Sequence, residues 1–251
     1  MNIKILVASH KEYRMPDDKI YLPVHVGKEG KSIDLPYQPD NTGDNISGKN
    51  NNFCELTAVY WAYKNLDADY IGLAHYRRHF RFKRKSGKWE SVLTENEARH
   101  ILKRHDIILP NKRRYFIETN YSHYIHAHEN ESIAVLKEII KNDYPEYEAA
   151  CHSVMNRTWA HMFNMFIMNK DCFDNYCKWL FDILFKIEGR LDISGYTKNE
   201  RRVFGFLSEL MLDIWITANE KIYYECPVMF MEKQNWLVKG GKFVWRKFFG
   251  K

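Results

Sequence analysis

Ten residues constrain this chain more than any others: Asp69-Tyr-Ile-Gly-Leu-Ala-His-Tyr-Arg-Arg78. Tyr70, Ile71, Leu73 and Ala74 form the apolar run of a buried β-strand, with Gly72 inside it. A buried strand cannot continue through His75, Tyr76, Arg77 and Arg78 unless the chain surfaces there. One sheet edge then presents an imidazole, a phenol and two guanidinium groups together. In open α/β sheets, ligands lie beyond the carboxyl ends of the strands, and planar guanidinium forks suit phosphate or carboxylate. A basic surface loop after a core strand fits the same spacing equally well.

A chain of 251 residues can bury one large core or two closely joined ones. A hydrophobic fraction of 45% and an aromatic fraction of 15% exclude a disordered chain. No apolar run approaches the ~20 residues of a membrane span. The opening apolar run, from Ile3, is too short for the core of a signal peptide and reads as a first strand, so a cytoplasmic protein is expected. Five cysteines (Cys54, Cys151, Cys172, Cys177, Cys226) include no Cys-x-x-Cys. They indicate neither a zinc ribbon nor a disulfide framework, and read as free, buried thiols. The net charge of +6 is unevenly placed: seven Lys and Arg fall between Arg77 and Lys88 with no acid, and six more follow Glu232. Such blocks mark contact with a polyanion or an anionic membrane, or else a solvated face.

Periodicity and breakers give a coarse plan. Ile3 to Ala8 reads as strand one, and the Pro-, Gly- and Asn-rich stretch from Pro16 to Ser47 as a long loop. Helices are expected over 53–65, 91–105, 132–142, 172–188 (capped by Asp171) and 201–218, with strands over 106–110 and 163–168. Strands alternate with helices in the first half and helices dominate the second, which predicts an α/β fold. With no repeat and no clean linker, a single domain is expected.

Several side chains carry possible chemistry. His123-x-x-His126-x-His128 has the density of a metal site but no partner at a signature spacing, so hydrogen-bonded or solvent-facing histidines fit as well. Dinucleotide, P-loop and serine-hydrolase motifs are missing. Arg202, Glu209 and Asp213 fall on the polar stripe of an otherwise apolar helix. Glu209, with Arg202 two turns earlier to orient it, suits a general base if it faces a cleft, and is unremarkable if it faces water. An enzyme that releases a diphosphate must stabilise the growing charge with metal ions or with Arg and Lys. No Asp-x-Asp stands at the end of the 70–74 strand to hold a metal, whereas His75 to Arg78 brings positive charge of its own. A rival reading takes residues 77–88, with Phe80 and Phe82 interleaved, as a nucleic-acid-binding or scaffolding patch.

Six segments, in this order, carry a resemblance: Asn45-Ile-Ser, Cys54-Glu-Leu-Thr, Tyr60-Trp-Ala-Tyr-Lys-Asn65, Asp69 to Arg78, Asn164-Met-Phe-Ile-Met168 and Arg202-Val-Phe-Gly-Phe-Leu-Ser-Glu209. Together they resemble a family of bacterial glycosyltransferases long labelled a domain of unknown function. Its genes lie among those for capsule, exopolysaccharide and O-antigen, and its members include β-1,3-galactofuranosyltransferases. The resemblance spans roughly residues 3–228. It implies a GT-A-like, Rossmann-type nucleotide-sugar-binding fold with a mostly helical C-terminal half. Within one domain, residues 1–120 would bind the nucleotide sugar, 121–230 the acceptor, and 231–251 form a basic aromatic tail.

The resemblance also implies roles. Ser9 and Lys11 would lie near the uracil or ribose, Asn45 and Glu55 would shape the donor pocket, and Asn164 would line the acceptor side. His75, Tyr76, Arg77 and Arg78 would take the place of the usual metal-binding pair, which leaves dependence on Mn or Mg open. Glu209 would be the base of an inverting transfer, with Arg202 beside it and Asp192 in reserve. The implied donor is UDP-galactofuranose or UDP-galactose, the acceptor an undecaprenyl-diphosphate-linked oligosaccharide, and nucleic acid no partner. The tail, with Trp245, Phe248 and Phe249 among Lys and Arg, fits either the inner face of the cytoplasmic membrane or a segment packed on the core.

Overall fold

A computed structural model describes residues 1–232. The first strand, β1 (Ile3–Ser9), is followed by β2 (Tyr21–His25), β3 (Gln38–Pro39), the short α1 (Asn50–Phe53) and α2 (Leu56–Asn65). Next come β4 (Tyr70–His75), β5 (Arg78–Phe80), α3 (Glu95–Leu102), β6 (Ile107–Pro110) and β7 (Arg113–Arg114). The second half holds α4 (Asn120–Ala127), α5 (Asn130–Asp143), α6 (Glu148–Asn156), β8 (Trp159–Ala160), β9 (Phe166–Asn169), α7 (Lys170–Glu188), α8 (Val203–Ala218), β10 (Tyr224–Cys226) and β11 (Val228–Phe230).

The main sheet runs β10-β6-β9-β4-β1-β2-β3, with β5 and β11 branching from the end of β4. Strands β4, β1, β2 and β3 are parallel, while β9 is antiparallel to both β4 and β6. This is the mixed α/β architecture expected, with its sheet built from both halves of the chain. Strand β1 is apolar from Ile5 to Ala8 because it is covered on both sides there. Leu6 and Ala8 enter the larger core, which is filled by α2 and the helices of the second half. Ile3, Ile5 and Val7 enter the opposite core with Leu93, Ile101 and Leu102.

Gly72 is required by packing. A Cβ there would lie 2.8 Å from both the Ile167 side chain and the Phe166 carbonyl oxygen on β9. The carbonyl belongs to a paired strand and cannot yield cheaply. Gly72→Ala is therefore expected to destabilise the fold by about 1–3 kcal/mol, seen as a lower thermal midpoint in calorimetry. An unchanged midpoint would mean that β9 tolerates a shift.

Several expectations need correction. The stretch 16–47 is not one loop, since β2 pairs with β1 over five residues. Pro23 is tolerated in β2 because β3 pairs only with Val24 and His25, so that neighbouring strand stops short of the proline. Helix α7 starts at Lys170 and is capped by Asn169, whose side chain accepts the Cys172 N–H at 2.8 Å; Asp171 lies in the first turn instead. Thr94 caps α3 in a reciprocal box with Glu97. Helix α6 was not anticipated. Strand β9 begins at Phe166 because Phe163 and Asn164 are left-handed, at φ 78° and 54°. The five cysteines are free as expected, four of them buried and Cys54 half-buried. Among the described residues no helix is long and apolar enough to cross a membrane. Most of the proposed tail, residues 233–251, lies outside the described residues.

Candidate active site

Strands β1, β2 and β4 run in parallel and end on the same side, where a cavity of about 1670 Å³ opens. Its walls come from the strand ends (Ala8, Val26, His75), the start of α1, the segment 162–163, the loop 196–202 and α8. Among the described lining residues are seven Lys and Arg side chains and two carboxylates, Glu55 and Glu209. A cleft with that balance attracts anions.

The stretch at the end of β4 folds back on itself. His75 pairs with Arg78 across a turn made by Tyr76 and Arg77, and β11 holds the far edge of β5. All four side chains line the cavity. Arg78 is half-buried, with its guanidinium 4.6 Å from the Phe163 ring centroid and 5.6 Å from that of Phe230. Its buried Nε has no hydrogen-bond partner among the described residues. Burial and the Arg77 charge lower its pKa, but a guanidinium stays charged at any physiological pH. Arg77 is more exposed and sits 3.2 Å from the Glu232 carboxylate. Tyr76 is buried edge-on against His10 and Tyr13.

His75 Nε2 lies 2.6 Å from the Phe163 carbonyl oxygen, a contact that places a proton on Nε2. Burial holds its pKa below the ordinary value, opposed by the Glu55 charge. Glu209, on α8, faces the cleft rather than open water. Burial first and the neighbouring Glu55 second raise its pKa to about 7, against the pull of Arg78, the Phe163 N–H and Arg113. Glu55, at the N-terminus of α2, accepts a 2.8 Å hydrogen bond from the Asn164 amide.

The other predicted residues are placed differently. Arg202 lines the cavity, but its Nε donates to Cys54 Sγ at 3.2 Å and no hydrogen bond from it reaches Glu209 among the described residues. Ser9 is buried, with its hydroxyl turned onto the Lys11 carbonyl, and neither residue is part of the cavity wall. Asn45 closes the 43–47 turn through Gly43 and Ser47 and also lies off the wall. Asn164 sits behind the wall, at 2% exposure, bonded to Glu55 and to the Gly205 carbonyl. Asp192 caps the Ser194 backbone away from the cleft. Asp213 does not share the polar stripe with Glu209, because it is buried between His161 (2.6 Å) and Arg157 (2.7 Å). Sequence reasoning missed Lys31, Arg113 and Phe206, whose positions in the wall are set by loops and long-range pairing that no local spacing reveals.

The histidine cluster is hydrogen-bonded. His123 and His126 each direct Nδ1 at the Glu118 carboxylate at 2.9 Å, and His128 stacks on Phe206. The expectation that the sequence holds no Asp-x-Asp is wrong, since Asp67-Ala68-Asp69 is one. It precedes β4, about 17 Å from the cleft end of that six-residue strand, and Asp69 accepts the Asn2 N–H. At the cleft end, two guanidinium groups and an imidazole engaged with a carbonyl do not suit a divalent cation. Among the described residues no three His, Cys, Asp or Glu side chains converge to hold one. The aromatics of the 77–88 stretch are not an open stacking platform: Phe80 is buried and Phe82 packs on His100 and Tyr224.

The mixed sheet, with parallel strands ending at a cationic cleft, matches the fold of a solved glycosyltransferase structure. The apo structure of the WbbM bifunctional glycosyltransferase superposes with a TM-score of 0.86 at 31% sequence identity, over 93% of this chain. The chain spans 46% of the length of that protein. No curated protein sequence matches it. Residues 4–220 match the model of the family described as Domain of unknown function (DUF4422), and the chain belongs to that family.

Proposed function

We propose that this protein transfers a hexose, galactofuranose or galactose, from a UDP-sugar to a lipid-linked glycan in capsule, exopolysaccharide or O-antigen synthesis, with inversion at the anomeric carbon. One observation carries the reading. Arg78, whose Nε has no hydrogen-bond partner among the described residues, and a carboxyl group poised near neutrality, Glu209, line the same cleft. The first suits a leaving diphosphate and the second an acceptor hydroxyl. Glu209 takes the proton of the acceptor hydroxyl as that oxygen attacks the anomeric carbon from the face opposite UDP. The bond from that carbon to the diphosphate breaks, and its electron pair leaves on the β-phosphate oxygen beside Arg78 and Arg77. No step is assigned to Mn or Mg.

In this reading residues 1–120 and 121–230 supply the donor and acceptor sides of a single domain. The acceptor is an undecaprenyl-diphosphate-linked oligosaccharide, met at the inner face of the cytoplasmic membrane. The test is UDP release with a panel of UDP-sugars and a disaccharide-lipid analogue, with EDTA and with added Mn. Release that requires both donor and acceptor is expected. Failure to release UDP, together with failure to bind it, would overturn the proposal.

A further inference from the structure

Two consecutive non-glycine residues in the left-handed region are unusual, and a phenylalanine there is a genuine outlier. Phe163 and Asn164 adopt this conformation beside the cleft, and three candidate site residues, His75, Arg78 and Glu55, contact the pair. The Phe163 N–H favours the charged form of the Glu209 carboxylate. Its carbonyl accepts from His75 Nε2, and its ring lies under the Arg78 guanidinium. The Asn164 amide nitrogen spans Glu55 Oε1, at 2.8 Å, and the Gly205 carbonyl of α8, at 3.1 Å.

We infer that the Phe163–Asn164 elbow is a positioning device, which fixes the two cleft carboxylates and the imidazole relative to one another so that Glu209 meets the acceptor hydroxyl in a set charge environment. This rests on the reading of Glu209 as the base. An extended conformation at these two residues would turn the Phe163 N–H and carbonyl away from Glu209 and His75. The backbone outlier is thus tied to geometry at the site, where such strain concentrates.

The electrostatic consequence has a definite sign. The charged and titratable groups that act on Glu209 are Glu55 from α2, Arg78 from β5 and Arg113 from β7; Arg202, Cys54, Tyr115 and Tyr124 interact with it more weakly. The Asn164 amide holds the Glu55 carboxylate in place, and the Glu55 charge helps Glu209 retain its proton. Without the amide, the Glu55 carboxylate is no longer held in place beside Glu209 and its hold on the Glu209 proton weakens.

The experiment is a carboxyl ¹³C NMR titration of the full-length protein, with the Glu209 signal assigned by its loss in Glu209→Gln. In Asn164→Ala the Glu209 midpoint is expected to fall by about half a pH unit or more, and in the isosteric Asn164→Asp, which adds a carboxylate, to rise. UDP-release kinetics should lose about tenfold in kcat in Asn164→Ala with little change in donor KM. A merely structural residue would not move the midpoint in opposite directions. Midpoints unchanged in both variants overturn the inference. If circular dichroism finds Asn164→Ala unfolded, Glu55→Gln serves, since it leaves the elbow intact and should lower the midpoint; an unmoved midpoint there is equally fatal. The titration needs no turnover, so a wild-type protein that released no UDP would defeat the transferase reading while leaving this test in force.

Discussion

Glu209→Gln is expected to reduce turnover by a factor of about 10²–10⁴, the usual contribution of a general base, while UDP affinity stays within twofold. The pH profile should change with it. A base works only when deprotonated, so with Glu209 at about 7 the wild-type kcat/KM should rise through neutrality and level off above it. In Glu209→Gln that rising limb should disappear. The same substitution should stabilise the protein, and the sign follows from linkage. Raised from 4.5 to about 7, Glu209 binds more protons folded than unfolded across that interval. Its favourable contribution is complete at low pH and is lost as pH climbs through the folded value. At pH 8 the residual cost is on the order of 2 kcal/mol after allowing for water in the cleft, and Gln should remove it. The thermal midpoint of Glu209→Gln should therefore exceed the wild type by several degrees at pH 8 and by little at pH 4.5. Wild-type turnover in this variant would eliminate Glu209 as the base.

Arg78→Ala carries the second large effect. Its guanidinium is half-buried, braced against two aromatic rings and has an Nε–H with no partner among the described residues, so losing it should remove a charge-assisted contact to the diphosphate. Such contacts are worth about 1.5–3 kcal/mol, or roughly 10- to 150-fold in the Kd for UDP, measurable by titration calorimetry. Arg77→Ala should cost less, because Arg77 is more exposed and already faces Glu232. Arg78→Lys should rescue poorly, since an ammonium cannot reproduce a planar fork braced between two aromatic rings. Equal UDP affinity in wild type and Arg78→Ala would remove Arg78 from the phosphate site.

The central strand and its abrupt basic end were legible because burial and charge change within four residues, from Leu73 to Tyr76 and Arg77. The amphipathic helices α5, α7 and α8 were legible from their apolar spacing. What escaped notice depends on distant partners. Strand β2 is hidden by Pro23, which only the short reach of β3 makes harmless. The wall positions of Lys31 and Arg113 have no local signature. Asn45 and Asn164 stood out in the sequence, yet one locks a turn and the other acts from behind the wall. Polarity alone does not tell a side chain that faces a ligand from one that holds its neighbour. Asp213 illustrates the same limit, since its buried bond to His161 spans 52 positions.

The placement of β9 between β4 and β6 also governs how the chain is assembled during synthesis. Its register joins Leu73 to Phe166 and Ile108 to Ile167, so neither neighbour finds its partner until the ribosome has delivered residue 169. Until then a nascent N-terminal portion carries open hydrogen-bonding edges on two apolar strands, the configuration that invites association between chains. Closure over such sequence separations is slow, and this ties the maturation of the cleft to the arrival of a short segment made well after both strands it joins.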